Sequence, residues 1–383
     1  MKRKILTALL AASCLTVLSG CQTPAASSTS DTVAPIMKEN ECGYIGDDGL
    51  MAIDFQFKDC GSFADNGLAY ALKDEKYGYI DNTGEFVIDE KFDYATEFSN
   101  GYAVVCVDDL YGMIDESGEF VIEPTYTALR NFADNGLAVA LQDTLYGYVN
   151  IKGEEVIPIQ YDDVDPFTKE GLALVSKDGL FGIIDSEGNY VIDLKYEYLE
   201  MFSSNGLAMA KVDGKYGYID KSGNIIIDFK YDLGFSFNDS ELAATAVDGK
   251  WGFIDKNGNI VIDFQYDQVY SFSSVGLTTV KIDDLCGIID LEGNYILEPV
   301  YPYIESFAAN GLACFVNPES GKWGYLNTDG TVAIEPEYDY CGSFGGDDLA
   351  FVQKDGLCGA INEDGSVAVD VEYQNIGTFT TYK

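Results

Sequence analysis

The sequence predicts an all-β protein built from about ten tandem units of roughly 35 residues. Three observations predict this class. A glycine recurs at a nearly constant interval, a second glycine follows it at a fixed distance, and β-branched and aromatic residues are concentrated around both. No segment carries a convincing helical period of apolar residues. The chain is therefore expected to contain repeated β-hairpins rather than helices.

The first recurring glycine, here called the anchor, sets the length of each unit. Successive anchors are separated by 34, 35 or 37 residues, and the second glycine lies six residues after each anchor. The ten anchors are Gly43, Gly78, Gly112, Gly147, Gly182, Gly217, Gly252, Gly287, Gly324 and Gly359. The second glycines are Gly49, Gly84, Gly118, Gly153, Gly188, Gly223, Gly258, Gly293, Gly330 and Gly365. So regular a period indicates one structural unit repeated.

The N-terminal forty residues differ from the repeat array, which we assign to residues 41–383. Residues 1–20 are predicted to be a lipoprotein signal peptide, because a basic start, an apolar stretch and small residues follow in order. Leu18–Cys21 resembles the lipobox of bacterial lipoproteins, and by that resemblance Cys21 carries the lipid. Residues 21–40 are then the lipidated cysteine and a flexible tether, rich in Ala, Ser, Thr and Pro. The predicted location is the cell envelope, with the array exported and lipid-anchored to the membrane.

Within each unit the second glycine is predicted to mark a hairpin tip. The segment Tyr218–Gly223 shows the usual sequence of this region, in which Asp precedes a glycine that can adopt positive φ. This combination is typical of short hairpin turns. The strand before the tip contains the anchor, and a β-branched run such as Ile225–Ile227 follows it. A third short strand is predicted near Gly206–Ala210. Each unit is thus expected to be a hairpin or a three-stranded sheet.

Ten such units can be arranged in two ways. Thirty-five residues supply three strands comfortably, whereas propeller blades usually have four strands and rings usually have about four to eight blades. An open, solenoid-like stack is therefore the favoured prediction, and a β-propeller is the alternative.

Two positions are aromatic in every unit, and we call their residues the first and second core rings. The first core rings, fourteen positions after the anchors, are Phe57, Phe92, Tyr126, Tyr161, Tyr196, Tyr231, Tyr266, Tyr301, Tyr338 and Tyr373. The second core rings, twenty positions after the anchors, are Phe63, Phe98, Phe132, Phe167, Phe202, Phe237, Phe272, Phe307, Phe344 and Phe379. A buried aromatic residue removes about 150–250 Å² from water, so these rings are predicted to form the core between units. The anchor glycine, which has no side chain, is expected to let a ring lie flat against the backbone.

These residues resemble the WG-repeat family, which is named for a Trp-Gly anchor in a text close to Asp248–Ile262. The resemblance covers essentially residues 42–383 and implies a bacterial, often surface or secreted, β-repeat protein without an assigned chemistry. Only Trp251 and Trp323 are tryptophan before an anchor. The other residues before the anchors are tyrosine or phenylalanine at Tyr77, Tyr111, Tyr146, Phe181 and Tyr216, and cysteine at Cys42, Cys286 and Cys358.

Composition excludes several classes of function. The formal charge is −41, and it becomes −44 without residues 1–20, which carry three cations and no acid, so nucleic acid is not expected as a partner. The chain has no histidine, the commonest general base and a common metal ligand. Beyond Cys14 and Cys21 seven cysteines remain, none in a C-x-x-C motif, and Cys341 with Cys358 is one pairing left open. No metal and no cofactor is expected.

The leading interpretation is a non-catalytic surface lipoprotein whose array binds a cell-envelope glycan or an envelope protein. Flat rings can stack on sugars and amphipathic ligands, although packing is the competing role for the same rings. The candidate ligand-binding residues are Trp251, Trp323, Tyr216 and Tyr146. The partners expected are the membrane, through the lipid, and the bound glycan or protein.

A structural scaffold for an envelope complex is the alternative interpretation, and a hydrolase ranks last. Adjacent acids such as Asp108–Asp109 recur near the same phase of the repeat, which indicates a solvated edge rather than a catalytic pair held across a cleft. Turn formation explains the sequence motif at Asp255–Asn259, which lacks the alternating oxygen ligands of a calcium loop.

Overall fold

The computed structural model describes residues 28, 30, 32–238, 240–345, 348–377 and 380–381. The predicted signal peptide 1–20, the lipid site Cys21 and the second core ring Phe379 lie outside the described residues. Regular structure in these residues is entirely β. Among them there is accordingly no helix long and apolar enough to span a bilayer.

Each unit contributes four kinds of strand, two of which form its central hairpin. The first hairpin strands are β1 (Thr32–Lys38), β5 (Ala69–Lys73), β9 (Tyr102–Val107), β13 (Ala138–Gln142), β17 (Leu172–Lys177), β21 (Leu207–Val212), β25 (Leu242–Val247), β29 (Thr278–Ile282), β33 (Ala313–Val316) and β37 (Leu349–Lys354). The second hairpin strands are β2 (Glu41–Gly46), β6 (Lys76–Ile80), β10 (Leu110–Asp115), β14 (Leu145–Val149), β18 (Leu180–Asp185), β22 (Lys215–Asp220), β26 (Lys250–Asp255), β30 (Leu285–Ile289), β34 (Trp323–Leu326) and β38 (Leu357–Asn362).

The other two kinds are a long strand after the hairpin tip and a two-residue strand that follows it. The long strands are β3 (Met51–Phe57), β7 (Phe86–Phe92), β11 (Phe120–Tyr126), β15 (Glu155–Tyr161), β19 (Tyr190–Tyr196), β23 (Ile225–Tyr231), β27 (Ile260–Tyr266), β31 (Tyr295–Tyr301), β35 (Val332–Tyr338) and β39 (Val367–Tyr373). The short strands are β4 (Asp59–Cys60), β8 (Tyr94–Ala95), β12 (Ala128–Leu129), β16 (Asp163–Val164), β20 (Tyr198–Leu199), β24 (Leu233–Gly234), β28 (Gln268–Val269), β32 (Tyr303–Ile304), β36 (Tyr340–Cys341) and β40 (Asn375–Ile376). A last strand is β41 (Thr380–Thr381).

These strands form ten antiparallel sheets of one design. Sheet 2 has the order β4-β5-β6-β7, and sheets 3 to 10 repeat this order of short, hairpin, hairpin and long strand along the chain. In sheet 1, β1, β2 and β3 supply the hairpin and long strands, and β40 supplies the short strand. The first sheet is therefore completed from the C-terminal end of the array.

Consecutive sheets are joined by one extended segment that leaves one sheet and enters the next. β7 pairs with β6 in sheet 2, and after the single residue Asp93 the chain continues as β8, which pairs with β9 in sheet 3. The Asp93 amide already donates to the Cys106 carbonyl at 2.9 Å. Since no turn residue separates the two strands, the sequence offered no sign of the fourth strand, and the three-stranded unit expected from it is incomplete.

The last segment of this kind closes the array into a ring. β39 belongs to sheet 10, and its continuation β40 pairs with β1 of sheet 1. The Gln374 amide donates to the Met37 carbonyl at 3.0 Å and the Gly377 amide to the Pro35 carbonyl at 2.8 Å. These bonds occupy the same positions as those at internal junctions.

The ten sheets therefore form a ten-bladed β-propeller, the alternative arrangement, rather than the favoured open stack. An open stack would leave one edge of β1 without its β40 partner, and edge strands with free amides and carbonyls are a liability. The repeat period defines the unit but not the rotation between units, which decides closure. The array also begins earlier than expected, because β1 occupies Thr32–Lys38 within the segment assigned to the tether.

The predicted core is confirmed where the structure describes it. The first core rings are buried except for half-buried Tyr301, and the second core rings are buried from Phe63 to Phe344 apart from half-buried Phe202. The second glycines have φ between 73° and 84° and occupy the hairpin tips. They also lie against the preceding sheet: a Cβ added to Gly258 would be 3.2 Å from Ile227 Cγ2.

The anchor glycines have a different role from the one expected. A Cβ added to any of the ten would lie only 2.5 to 2.7 Å from a backbone carbonyl oxygen of the neighbouring long strand, such as Ile262 for Gly252. The pairing register shifts at this position in every sheet, which indicates a β-bulge. The anchor thus admits a bulged backbone, whereas the expectation of a ring lying flat on it was wrong as the general explanation.

Buried tyrosines one residue after the anchor connect neighbouring sheets. The Tyr218 hydroxyl donates to the Phe235 carbonyl of sheet 7 at 2.7 Å. Equivalent bonds are Tyr44 to Gly61, Tyr79 to Thr96, Tyr148 to Asp165 and Tyr325 to Gly342, at 2.7 to 2.8 Å. Burial raises the pKa of the Tyr218 hydroxyl, so it remains a donor. These bonds fix the sheets relative to one another.

Candidate functional site

The four predicted ligand residues occupy equivalent positions in four different sheets. Tyr146, Tyr216, Trp251 and Trp323 each begin or nearly begin the second hairpin strand, in sheets 4, 6, 7 and 9 respectively. Each is half-buried and pairs with the first core ring of its own unit, as Trp251 pairs with Tyr266. The structure therefore places them at equivalent positions of different sheets and does not gather them into one site.

Around these positions the rings form short aromatic runs. Trp323 lies between Tyr303 and Tyr340, with centroids 5.3 and 5.1 Å away. Trp251 stacks on Phe235 with centroids 4.9 Å apart and planes inclined by 19°. Because these rings are partly exposed, they combine packing with an accessible aromatic surface.

Tyr216 extends a similar run and Tyr146 does not. The Tyr216 ring lies 6.0 Å from Tyr198, whose hydroxyl donates to Glu200 Oε1 at 2.6 Å. Tyr146 packs on the cluster of buried residues that includes Tyr161. Of the four predicted residues, Trp251, Trp323 and Tyr216 therefore belong to rows of rings, whereas Tyr146 has mainly a packing environment.

Four tyrosines of sheets 2 and 3 form another run, which the sequence analysis did not single out. Centroid distances are 5.9 Å from Tyr70 to Tyr77, 6.3 Å from Tyr77 to Tyr94 and 6.2 Å from Tyr94 to Tyr111. The first three rings border an open pocket of about 500 Å³ between sheets 2, 3 and 4. We call it the tyrosine pocket; its polar lining includes Asp59, Glu97 and Asn131.

Two carboxylates in the tyrosine pocket are held in place by hydrogen bonds. Asp59 Oδ2 accepts from the Tyr77 hydroxyl at 3.0 Å, and Glu97 Oε1 accepts from the Ser62 amide at 2.9 Å. Burial, followed by the hydrogen bond to Asp59, raises the pKa of Tyr77 to about 12. Burial and then the Asp59 and Glu97 charges likewise raise the pKa of Tyr70 to about 12. Near neutral pH both phenols therefore keep their protons.

A disulfide supports the same region. Cys42 on β2 and Cys60 on β4 are bonded, with their Cα atoms 6.1 Å apart, and so connect sheet 1 to sheet 2. Asp59 directly precedes Cys60, so the bond also holds the short strand that carries this carboxylate. The pairing left open from sequence, Cys341 with Cys358, is not formed, because both thiols are free and buried.

The acids that suggested catalysis or calcium lie in turns. Asp108 and Asp109 have φ of 51° and 65°, between the two strands of the sheet 3 hairpin. Asp255 Oδ1 accepts from the Asn257 and Asn259 amides at 2.9 and 2.8 Å, which explains its place before the tip glycine. Among the residues with assigned positions, no group of three or more His, Cys, Asp or Glu residues could hold a metal ion.

A signal for the tyrosine pocket was present in the sequence. At the place that Glu97 takes in its unit, the other units have Ser, Asn, Pro, Met or Thr. The place of Tyr94 varies among aromatic, acidic, amide and aliphatic residues from unit to unit. A glutamate combined with a tyrosine at these two variable places would have pointed to this unit.

A known protein family has a repeat that matches the units of this chain. The family model described as "WG containing repeat" matches residues 43–77, 77–111, 111–143, 146–181, 181–216, 216–251, 251–286, 287–317 and 323–358. The search of curated proteins gave no match.

Several solved structures are similar to this chain at a low level. A crystal structure titled as the eukaryotic initiation factor is 11% identical, with coverage of 91% of this chain and 98% of that one and a TM-score of 0.49. Hsv2p of Kluyveromyces lactis is 12% identical over 61% and 93%, with a TM-score of 0.36. PorZ, a surface component of the type-IX secretion system of Porphyromonas gingivalis, is 12% identical over 87% and 51%, with a TM-score of 0.28. These scores support no functional conclusion, whereas the family match extends across most of the array: the chain belongs to the WG-containing repeat family.

Proposed function

We propose that this protein is a membrane-anchored, non-catalytic surface lipoprotein whose propeller binds a cell-envelope glycan. The observation that carries the proposal is the set of partly exposed aromatic rings that pack beside Trp323, Trp251 and Tyr216. Sugars offer apolar faces that stack on such rings, while their hydroxyls bond to nearby polar groups. An envelope protein as the ligand, or a scaffold role without glycan binding, is an outcome of the test.

Carboxylates beside the rings support a ligand rich in hydroxyl groups. Glu200 accepts from Tyr198 and from Ser236, next to the Tyr216 run. Glu305 lies two residues after Tyr303 of the Trp323 run and is half-buried beside the Cys314 thiol. Carboxylates beside the rings can accept hydrogen bonds from the hydroxyl groups of a sugar that stacks on them.

The binding test uses the purified full chain and immobilised peptidoglycan or purified envelope glycans. Trp323→Ala removes the middle ring of a three-ring run and is expected to weaken retention about fivefold to tenfold, since truncating a central aromatic contact costs more than about 1 kcal/mol. Trp323→Phe keeps a ring and should retain most of the affinity. Ile225→Ala, at a side chain 56% exposed on a long strand, is the matched control and should bind normally.

Three outcomes distinguish the candidate functions. Retention lost with Trp323→Ala but kept with Ile225→Ala supports glycan binding. If no envelope glycan retains the wild-type chain and crosslinking in cells captures a protein partner instead, glycan binding is rejected in favour of a protein ligand or a scaffold. Turnover in a broad hydrolase screen that disappears on substitution of a single carboxylate would contradict the non-catalytic part.

Membrane anchoring has its own test. Cys21→Ala removes the thiol to which the lipid would be attached, so the chain should move from the membrane fraction to the soluble fraction. A variant at Cys14, in the predicted signal peptide, is the control and should remain in the membrane fraction. Membrane retention of Cys21→Ala would refute lipid attachment at this residue.

A further inference from the structure

The tyrosine pocket has a lining that favours one class of ligand. Tyr70, Tyr77 and Tyr94 supply three ring surfaces, of which Tyr94 is 47% exposed. Asp59 and Glu97 add two carboxylates, and the described residues that line the pocket include no lysine or arginine. Aromatic faces attract cations through their quadrupole, by about 0.5–2 kcal/mol per contact. Rings and anions together therefore disfavour an anionic ligand and favour a cation.

The hydrogen-bonding groups lead to the same class. One oxygen of each carboxylate is occupied by Tyr77 or Ser62, and the described residues make no hydrogen bond to Asp59 Oδ1 or Glu97 Oε2. Asn131 Oδ1, which also lines the pocket, is buried without a partner among the described residues. Three acceptor oxygens are thus open to a donor. Glu97 is exposed and Asp59 is half-buried, so only Asn131 Oδ1 carries the cost of about 1–3 kcal/mol for a buried acceptor without a partner.

Two kinds of cation can be compared against this lining. A metal ion prefers a shell of oxygen ligands, and the described part of the chain contains no group of acids suited to one. An alkylammonium group carries one positive charge and three N–H donors, which equals the number of open acceptors. Its carbon chain can also pack against the tyrosine rings.

We propose that the tyrosine pocket binds an alkylammonium group, with Asp59, Glu97 and Asn131 as acceptors and Tyr70, Tyr77 and Tyr94 as the surrounding rings. The same chemistry occurs in a free polyamine and in the lysine side chain of a partner. The inference goes beyond glycan binding at the Trp323 run, because it concerns a different pocket.

The sharpest variant is Glu97→Gln, because the amide oxygen can still accept from the Ser62 amide while the charge is lost. Glu292→Gln, at an exposed hairpin tip in sheet 8, removes the same charge far along the chain and is the matched control. The probe is spermidine, titrated by calorimetry into the full chain at physiological salt. Binding should weaken about tenfold with Glu97→Gln, the equivalent of about 1.4 kcal/mol, and less than about twofold with Glu292→Gln.

A second variant tests the rings independently of charge. Tyr94→Ala, at the exposed edge of the pocket, should also weaken spermidine binding several-fold, and Tyr94→Phe should not. A tyrosine ultraviolet difference spectrum on titration should accompany binding in the wild type and disappear with Tyr94→Ala. Folding of each variant is checked by its β circular dichroism.

Two further ligands distinguish the two sources of the ammonium group, a free polyamine and the lysine side chain of a partner. A short peptide with one lysine should compete with spermidine if the pocket accepts a partner's side chain, and the same peptide with acetylated lysine should not compete. Equal weakening by Glu97→Gln and Glu292→Gln, or no spermidine binding at all, would overturn the proposal. Glycan retention is measured on the same variants, so failure at this pocket remains distinct from failure at the Trp323 run.

Discussion

Gly252→Ala is the most direct perturbation of the repeated unit. The added Cβ would lie 2.5 Å from the Ile262 carbonyl oxygen, whereas ordinary contacts begin near 3.4 Å, so the bulged strand must move by about 0.9 Å. Overpacking of this kind costs about 1–3 kcal/mol, and the lower entropy of unfolded alanine offsets about 0.4–1 kcal/mol. We therefore expect the free energy of unfolding to fall by about 1–2 kcal/mol.

This loss can be measured as a change in melting temperature. An unfolding entropy of about 2.1 cal/mol/K per residue over roughly 350 residues gives about 0.7 kcal/mol/K, so Gly252→Ala should melt about 1–3 °C lower. Gly342→Ala is the control, because its added Cβ would be no closer than 3.6 Å to other atoms. Its melting temperature should stay the same or rise slightly. A Gly252→Ala variant that melts at or above the wild type would refute the bulge explanation.

Two further predictions concern hydrogen bonds that recur in the array. Tyr218→Phe leaves the Phe235 carbonyl without its 2.7 Å bond and should lower the free energy of unfolding by about 1 kcal/mol in urea titrations; an unchanged midpoint would show that water replaces the hydroxyl. Hydrogen bonds from the side chain and backbone of Asn224 lower the pKa of Asp220 in the folded protein. The stabilisation that ionised Asp220 contributes is therefore complete above the unfolded pKa of about 3.9, and it is lost as the pH falls through the lower folded pKa. The melting temperature of Asp220→Asn should therefore fall less than that of the wild type between pH 5 and pH 3. Equal falls would contradict a stabilising role for ionised Asp220.

The parts of the fold that could be predicted are those that depend on local chemistry. Hairpin tips follow from the need for positive φ, which glycine meets, as Gly223 does at φ 77°. The core rings follow from a spacing that places one aromatic residue at the end of each long strand, and these residues are buried, as Tyr231 is, in every sheet except that of Tyr301. Both features occur in every unit, so this one sequence gives ten independent examples of each, and the pattern can be recognised without a structure.

The parts that could not be predicted depend on relations between units. The short strand β8 is continuous with β7, so no residue marks the change of partner sheet. Ring closure depends on a small rotation repeated from sheet to sheet, which no single residue specifies. The anchor glycine was correctly placed but wrongly explained, because its close neighbour is a backbone carbonyl that only the bulged register brings near.

The tyrosine pocket shows why function in such an array should lie where the repeats differ. Every sheet needs the anchor glycine, the tip glycine and the core rings, so these positions cannot vary without loss of stability. The places of Tyr94 and Glu97 in the repeat face fewer demands, since several residue types occur at each, and one unit combines this tyrosine with this glutamate. Both combine with Asp59 and Asn131 from neighbouring units in the tyrosine pocket, and Glu97 also lines a second pocket with the Cys42–Cys60 disulfide and with Asn375 of the ring-closing strand. A closed ring of nearly identical sheets thus supplies rigidity, and the choice of residue at two permissive positions suffices to make one junction chemically distinct from the others.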